Sequence, residues 1–128
     1  MIIDKDLYVS TAQAVTSTAA SEDYVDQLVA GDAYANELYL VCRVGTAFAN
    51  ATSMTITLET DTNANFATAL KTLASSGVIL ENALTENTEV FKIRLPKGLK
   101  RYFRVYYTVN GTHNAGTIDA FLTSDVQQ

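Results

Sequence analysis

Side-chain catalysis needs a nucleophile beside a base, a pair of carboxylates in a cleft, or a cluster of metal ligands. The chain offers little of this. It contains one histidine, His113, and one cysteine, Cys42. His113 sits in the turn-rich string NGTHNAG, where it reads as a solvent-exposed loop residue, and no G-x-S-x-G elbow accompanies it. Cys42 alternates with Leu40 and Val44 on the apolar side of a strand pattern, where desolvation disfavours the thiolate that a nucleophile needs. Asp61, Asn63 and Asn65 place oxygen ligands at alternate positions, as a calcium loop of the EF-hand type begins. Phe66 then stands where that loop requires glycine, and Thr72 where it requires a bidentate glutamate. Asx-turn and helix-entry chemistry account for the string instead. The chain therefore reads as a non-enzyme: no catalytic residue, no metal ligand, no cofactor and no small-molecule substrate are assigned.

Composition narrows the partners. The chain has 128 residues, 48% of them hydrophobic and 18% charged, which suits one self-sufficient domain over residues 1–128. A formal charge of −5 argues against nucleic acid, because phosphate neutralisation requires a cationic face. A lone cysteine permits no internal disulfide and fits a cytosolic site of folding. Neither a signal peptide nor a long apolar run is present, so no membrane is implied.

The charges are unevenly placed. Lys92, Arg94, Lys97, Lys100, Arg101 and Arg104 cluster late in the chain, whereas the N-terminal third holds Asp4, Asp6, Glu22, Asp23, Asp26, Asp32 and Glu37 against only Lys5. One explanation is a cationic strand pair solvated on its outer face and partly neutralised by the acidic N-terminal region. The other is a protein-binding surface built from Tyr102, Arg104 and Tyr106, with Lys92 and Arg94 on a neighbouring strand. Tyr and Arg dominate interface energetics, and truncating such an anchor costs roughly 1–4 kcal/mol. On that second view Arg104→Ala and Tyr106→Ala weaken assembly more than they lower the stability of the monomer.

Period-two alternation supplies the elements that would carry these residues. Ile3 to Val9 reads as the first strand, and residues 10–36, rich in Ser, Thr, Ala and Asp, as an extended arm or long loop. Leu38, Leu40, Cys42 and Val44 share one strand face. Met54, Ile56 and Leu58 face inward on the next strand, with Thr55, Thr57 and Glu59 outward. Phe66, Leu70 and Leu73 recur at helical spacing, which suggests a short helix near 65–74, with a compact loop as the alternative. Gly77 ends that element, and Val78 to Leu84 forms a short strand. Phe91, Ile93 and Leu95 alternate with Val90, Lys92 and Arg94 before a turn at Pro96-Lys97-Gly98. In RYFRVYYTV, Phe103, Val105, Tyr107 and Val109 oppose Tyr102, Arg104, Tyr106 and Thr108. The Asn110 to Gly116 loop then closes a hairpin onto a strand with Ile118, Ala120 and Leu122 inward. Seven or eight short antiparallel strands in a chain this size make an all-β sandwich of jelly-roll or Greek-key type.

Three blocks in order carry a family resemblance. The run LPKGLKRYFRVYYTVNGTHNAGTIDAFLTSDVQQ, the N-terminal IIDKDLYVSTAQAVTSTAAS and the middle stretch ETDTNANFATALKTLASSG resemble the capsid cement (decoration) proteins of short-tailed bacteriophages. That resemblance implies a jelly roll without enzymatic activity that self-associates, as a dimer, and coats an icosahedral shell. It implies attachment to the outer capsid surface of the virion, with the major capsid protein as partner, across junctions between its subunits. It assigns no contact residues. A glycan-binding β-sandwich using the Tyr-rich face is the alternative, and the absence of tryptophan counts against it.

Overall fold

A computed structural model of the protein describes residues 3–26, 39–63, 66–67, 70–94 and 100–123. Among these, the chain forms β1 (Ile3–Ala14), β2 (Ala19–Ala20), β3 (Val25–Asp26), β4 (Tyr39–Val44), β5 (Ala49–Asp61) and β6 (Lys71–Leu80). A single 3-10 turn, Glu81–Ala83, leads to β7 (Glu89–Arg94), β8 (Tyr102–Ala115) and β9 (Thr117–Thr123). One sheet runs β1-β9-β4-β7; the other runs β2-β8-β5-β6, with β3 also paired to β8. Every pairing is antiparallel. This order, in which first and last strands are neighbours in one sheet, is the winding of a jelly roll.

The core lies between the sheets and is filled by alternate side chains of the central strands. Leu40, Cys42 and Val44 on β4 and Ile118, Ala120 and Leu122 on β9 face Met54, Ile56 and Leu58 on β5 and Phe103, Val105 and Tyr107 on β8. Each is at most 1% exposed, and each large apolar side chain so buried contributes roughly 1.5–3 kcal/mol. These inward positions are the ones read from the sequence; Ile93 and Val109 are only partly buried against the core, and Leu38 and Leu95 lie outside the described residues. Val41, on the alternate face of β4, is also fully buried, beside its register partner Phe121.

Five local expectations change. Residues 71–74 belong to β6 rather than to a helix near 65–74, and Leu70 is 46% exposed, so Phe66, Leu70 and Leu73 do not share a buried face. The open side of β5 offers a ladder of backbone hydrogen bonds, and Leu73, Ala74 and Ile79 pack against the core from β6. Tertiary pairing overrides the helical spacing. Gly77 does not end an element either: with φ at +72° it forms a bulge inside β6, where Ser75 and Val78 pair with Thr57 and Thr55. Residues beyond Leu80 turn away as the 3-10 turn instead of continuing a strand to Leu84.

Asn110 to Gly116 is not a hairpin loop. β8 continues through it to Ala115, paired with β5, and Gly116 carries the chain into β9 in the opposite sheet. The segment read as an arm is also folded onto the sandwich as far as Asp26; residues 27–36 lie outside the described residues. Its hydroxyls replace missing strand. Ser21 Oγ accepts a hydrogen bond from Val105 N at 3.2 Å, Thr18 Oγ1 accepts one from Val109 N at 3.0 Å, and the Ser10 and Tyr107 hydroxyls meet at 2.8 Å. Small polar side chains thus finish the edge of β8, which a search for apolar periodicity does not detect.

Candidate interaction surface

The outer face of β8 presents Tyr102, Arg104 and Tyr106, all partly exposed, because Phe103, Val105 and Tyr107 occupy the alternate positions in the core. Arg104 stands directly opposite Glu59 across the β5–β8 ladder, and its Nε donates to Glu59 Oε1 at 3.0 Å. The same guanidinium lies over the Phe66 ring, 4.3 Å from its centroid, and 5.5 Å from that of Tyr106. Tyr24 contacts Phe66 edge-on at 5.9 Å and Tyr102 at 5.4 Å. Arg101 covers Tyr102 at 5.0 Å while its Nε and Nη2 donate to Asp26 at 2.8 and 3.1 Å. That side-chain hydrogen bond is the main reason the pKa of Arg101 is raised. Cation–π contacts and opposite charges across a ladder each add modest stabilisation, and together they hold the face in one arrangement. Among the described residues no enclosed pocket is present, so this is a surface and not a cleft.

The structure brings together three of the five residues singled out by sequence. Lys92 and Arg94 are not on a neighbouring strand: β7 is an edge of the opposite sheet, beside β4. The proximity of residues 92–94 to 101–104 along the chain suggests adjacency, but the winding sends β7 and β8 to different sheets. Arg94 Nη2 donates to Tyr39 Oη at 2.7 Å and the guanidinium lies 5.2 Å over the tyrosine ring, so this cation is bound within its own sheet. Lys97 and the Pro96–Gly98 turn lie outside the described residues. Tyr24 and Phe66 as contributors to the β8 surface escaped the sequence reading, and so did the placing of the outward Glu59 beside Arg104. The register of β5 against β8 identifies Glu59. The acidic N-terminal region does meet the cationic region, through Asp26 and Arg101.

The candidate reactive groups are buried. Contrary to its assignment as an exposed loop residue, His113 is 2% exposed. It lies within β8, its Nδ1 2.9 Å from Glu81 Oε2 and its ring 4.5 Å from that of Phe48. Cys42 is fully buried, and desolvation pushes its thiol far above the ordinary range. Asp61 Oδ1 accepts a hydrogen bond from Asn63 N at 3.0 Å, the Asx turn anticipated for that string. Among the described residues no cluster of three metal-ligating side chains occurs, and no helix is long and apolar enough to cross a membrane.

Comparison with known proteins gives one family assignment: the family model named Bbp16 matches residues 9–122. No curated protein matches the chain.

Proposed function

The chain belongs to the Bbp16 family, a phage-related family, and on that premise we propose that it is a non-enzymatic structural protein of the virion. It binds the outer surface of an icosahedral capsid and stabilises contacts between major capsid protein subunits. The observation that carries this reading is the family match, which spans the jelly roll from β1 almost to the end of β9.

The physical demands of that role suit the molecule. A cement protein works by mass action: by binding the assembled shell and not its loosened subunits, it shifts the equilibrium toward the intact particle. Contacts repeated at many symmetry-related sites add up, so each need only be modest. What each site requires is a rigid surface of roughly 800 Å² per partner. The β8 face supplies anchors whose rotamers are already fixed by Glu59, Phe66 and Asp26, which reduces the ordering cost on binding. A dimer doubles the contacts made by each particle in solution. If the proposal is right, mass spectrometry of purified phage finds this chain in a fixed stoichiometric ratio with the major capsid protein. Its absence from virions, or a trace amount without fixed ratio, contradicts it.

A further inference from the structure

We propose that the outer face of β8 receives an acidic segment of a partner protein, and that a carboxylate of that segment takes the open edge of the Arg104 guanidinium. The fixed geometry of this side chain decides what it can accept. Its Nε is used by Glu59 Oε1 at 3.0 Å, and its guanidinium lies over the Phe66 ring at 4.3 Å. Among the described residues, neither terminal nitrogen, Nη1 nor Nη2, has a hydrogen-bond partner, and neither is sealed from solvent. Two N–H groups at the end of the fork match the two oxygens of a carboxylate, the bidentate geometry that arginine favours. The side chain is only 20% exposed, so the fork is held still yet reachable. Tyr106, beside the guanidinium, and Tyr24, against Phe66, carry hydroxyls without a hydrogen-bond partner among the described residues, which are further donors to an oxygen-rich ligand. Phe66 itself holds φ at +53°, a conformation unusual for a bulky side chain, and is buried against Arg104. Strain of this kind persists where the surroundings fix the residue in place.

Charge selects an acidic occupant. Thr60 pairs with Lys71 across β5 and β6, and its Oγ1 accepts a hydrogen bond from Lys100 N at 2.8 Å, so Lys71, Lys100, Arg101 and Arg104 gather at one end of this sheet. The carboxylates that share this end are drawn in: Asp61 and Glu59 are buried, and Asp26 is held by Arg101. Lys71 is exposed. A chain of formal charge −5 thus presents one cationic end, the arrangement that steers an acidic partner to a defined place.

The same contacts disfavour other ligands. A sugar stacks on an open aromatic face, and guanidinium groups already lie over Phe66, Tyr102 and Tyr106. A nucleic acid would bring a run of phosphates against the acidic remainder of the chain.

The inference rests on the virion reading only for the identity of the partner as a capsid protein; the chemistry of the site is measured without a capsid. The full chain, isotopically labelled for nuclear magnetic resonance, is titrated with a peptide of alternating Glu and Gly, with the same peptide carrying Gln for Glu, and with an oligothymidylate. The Glu peptide shifts the Arg104 Nε–H signal and the β8 amides saturably, and the Gln peptide does not. Arg104→Lys, which keeps the charge and loses the fork, binds the Glu peptide at least about 10-fold more weakly, since a bidentate charge-assisted pair is removed. Arg43→Lys, the same exchange in the opposite sheet, binds as the wild type does. A Glu peptide that shifts nothing on β8, an equal response to both peptides, an unaltered affinity of Arg104→Lys, or tighter binding of the oligothymidylate overturns the proposal. Should Arg104→Lys fail to fold, Lys71→Glu, at an exposed position, replaces it and weakens Glu-peptide binding about threefold or more; unchanged binding overturns the proposal. Stripped capsids separate the two readings. Capsid binding that survives Arg104→Lys undiminished refutes the acidic contact and leaves the virion role. A Glu peptide bound through Arg104 by a chain inert toward capsids leaves the site standing while the virion role fails.

Discussion

Gly116→Ala is expected to lower folding stability by about 3–5 kcal/mol, a loss of roughly 10–20 °C in melting temperature for a chain of this size. Gly116 is the one residue between β8 and β9, where the chain leaves one sheet for the other. It does so with φ at +127°, a conformation that costs a residue with a Cβ about 1–3 kcal/mol. A Cβ at this position would also stand 2.2–2.7 Å from three atoms of the Phe48 ring. Phe48 cannot yield easily, being 5% exposed and packed against His113. Gly77→Ala provides the comparison: φ is +72° but nothing lies within 4 Å of the new methyl, so only the backbone cost of about 1 kcal/mol applies. Urea unfolding of both variants separates strain from overlap. Equal losses would mean that the Phe48 contact is not as drawn.

Arg104→Ala is expected to cost about 2–3 kcal/mol in the isolated protein, whereas Arg101→Ala leaves the stability nearly unchanged. The two arginines look alike in sequence, and both are paired to a carboxylate. They differ in burial. The side chains of Arg104 and Glu59 are 20% and 10% exposed, so removing the guanidinium strands a carboxylate away from water and uncovers Phe66. Arg101 and Asp26 are 42% and 30% exposed, and water can replace either partner. A double-mutant cycle with Glu59→Ala should show a coupling of about 1–2 kcal/mol. Arg104 thus braces the folded chain whether or not it also contacts a capsid, and comparing urea unfolding with capsid binding of Arg104→Ala weighs the two roles: unchanged unfolding alongside weakened binding would make it an anchor alone.

What the sequence conveyed and what it hid follow from the range of the interactions involved. Strict alternation with apolar residues made the inward faces of β4, β5, β8 and β9 legible, because burial between two sheets imposes a period of two. The same alternation placed Tyr102, Arg104 and Tyr106 outward. Position along the chain misled wherever topology intervened. Lys92 and Arg94 lie in the other sheet, and NGTHNAG extends a strand because β5 is long enough to pair with it. Asn110-Gly111, a hairpin signal in isolation, pairs with Ser53 and Ala51 across a register shift at Thr52, with Gly111 at φ +107°. The segment before Asp26 looked structureless because its attachment to β8 runs through hydroxyls at Ser10, Thr18 and Ser21. The buried position of His113 depends on Glu81 and Phe48, both distant in sequence.

Whether this chain cements a capsid is decided with capsids stripped of it. Purified protein is added back and the temperature of capsid disruption is recorded with increasing occupancy. Saturable binding at a fixed ratio to the major capsid protein is expected, with a disruption temperature that rises until the sites are full. Protein that remains in the supernatant while the stripped shells break at an unaltered temperature would contradict it.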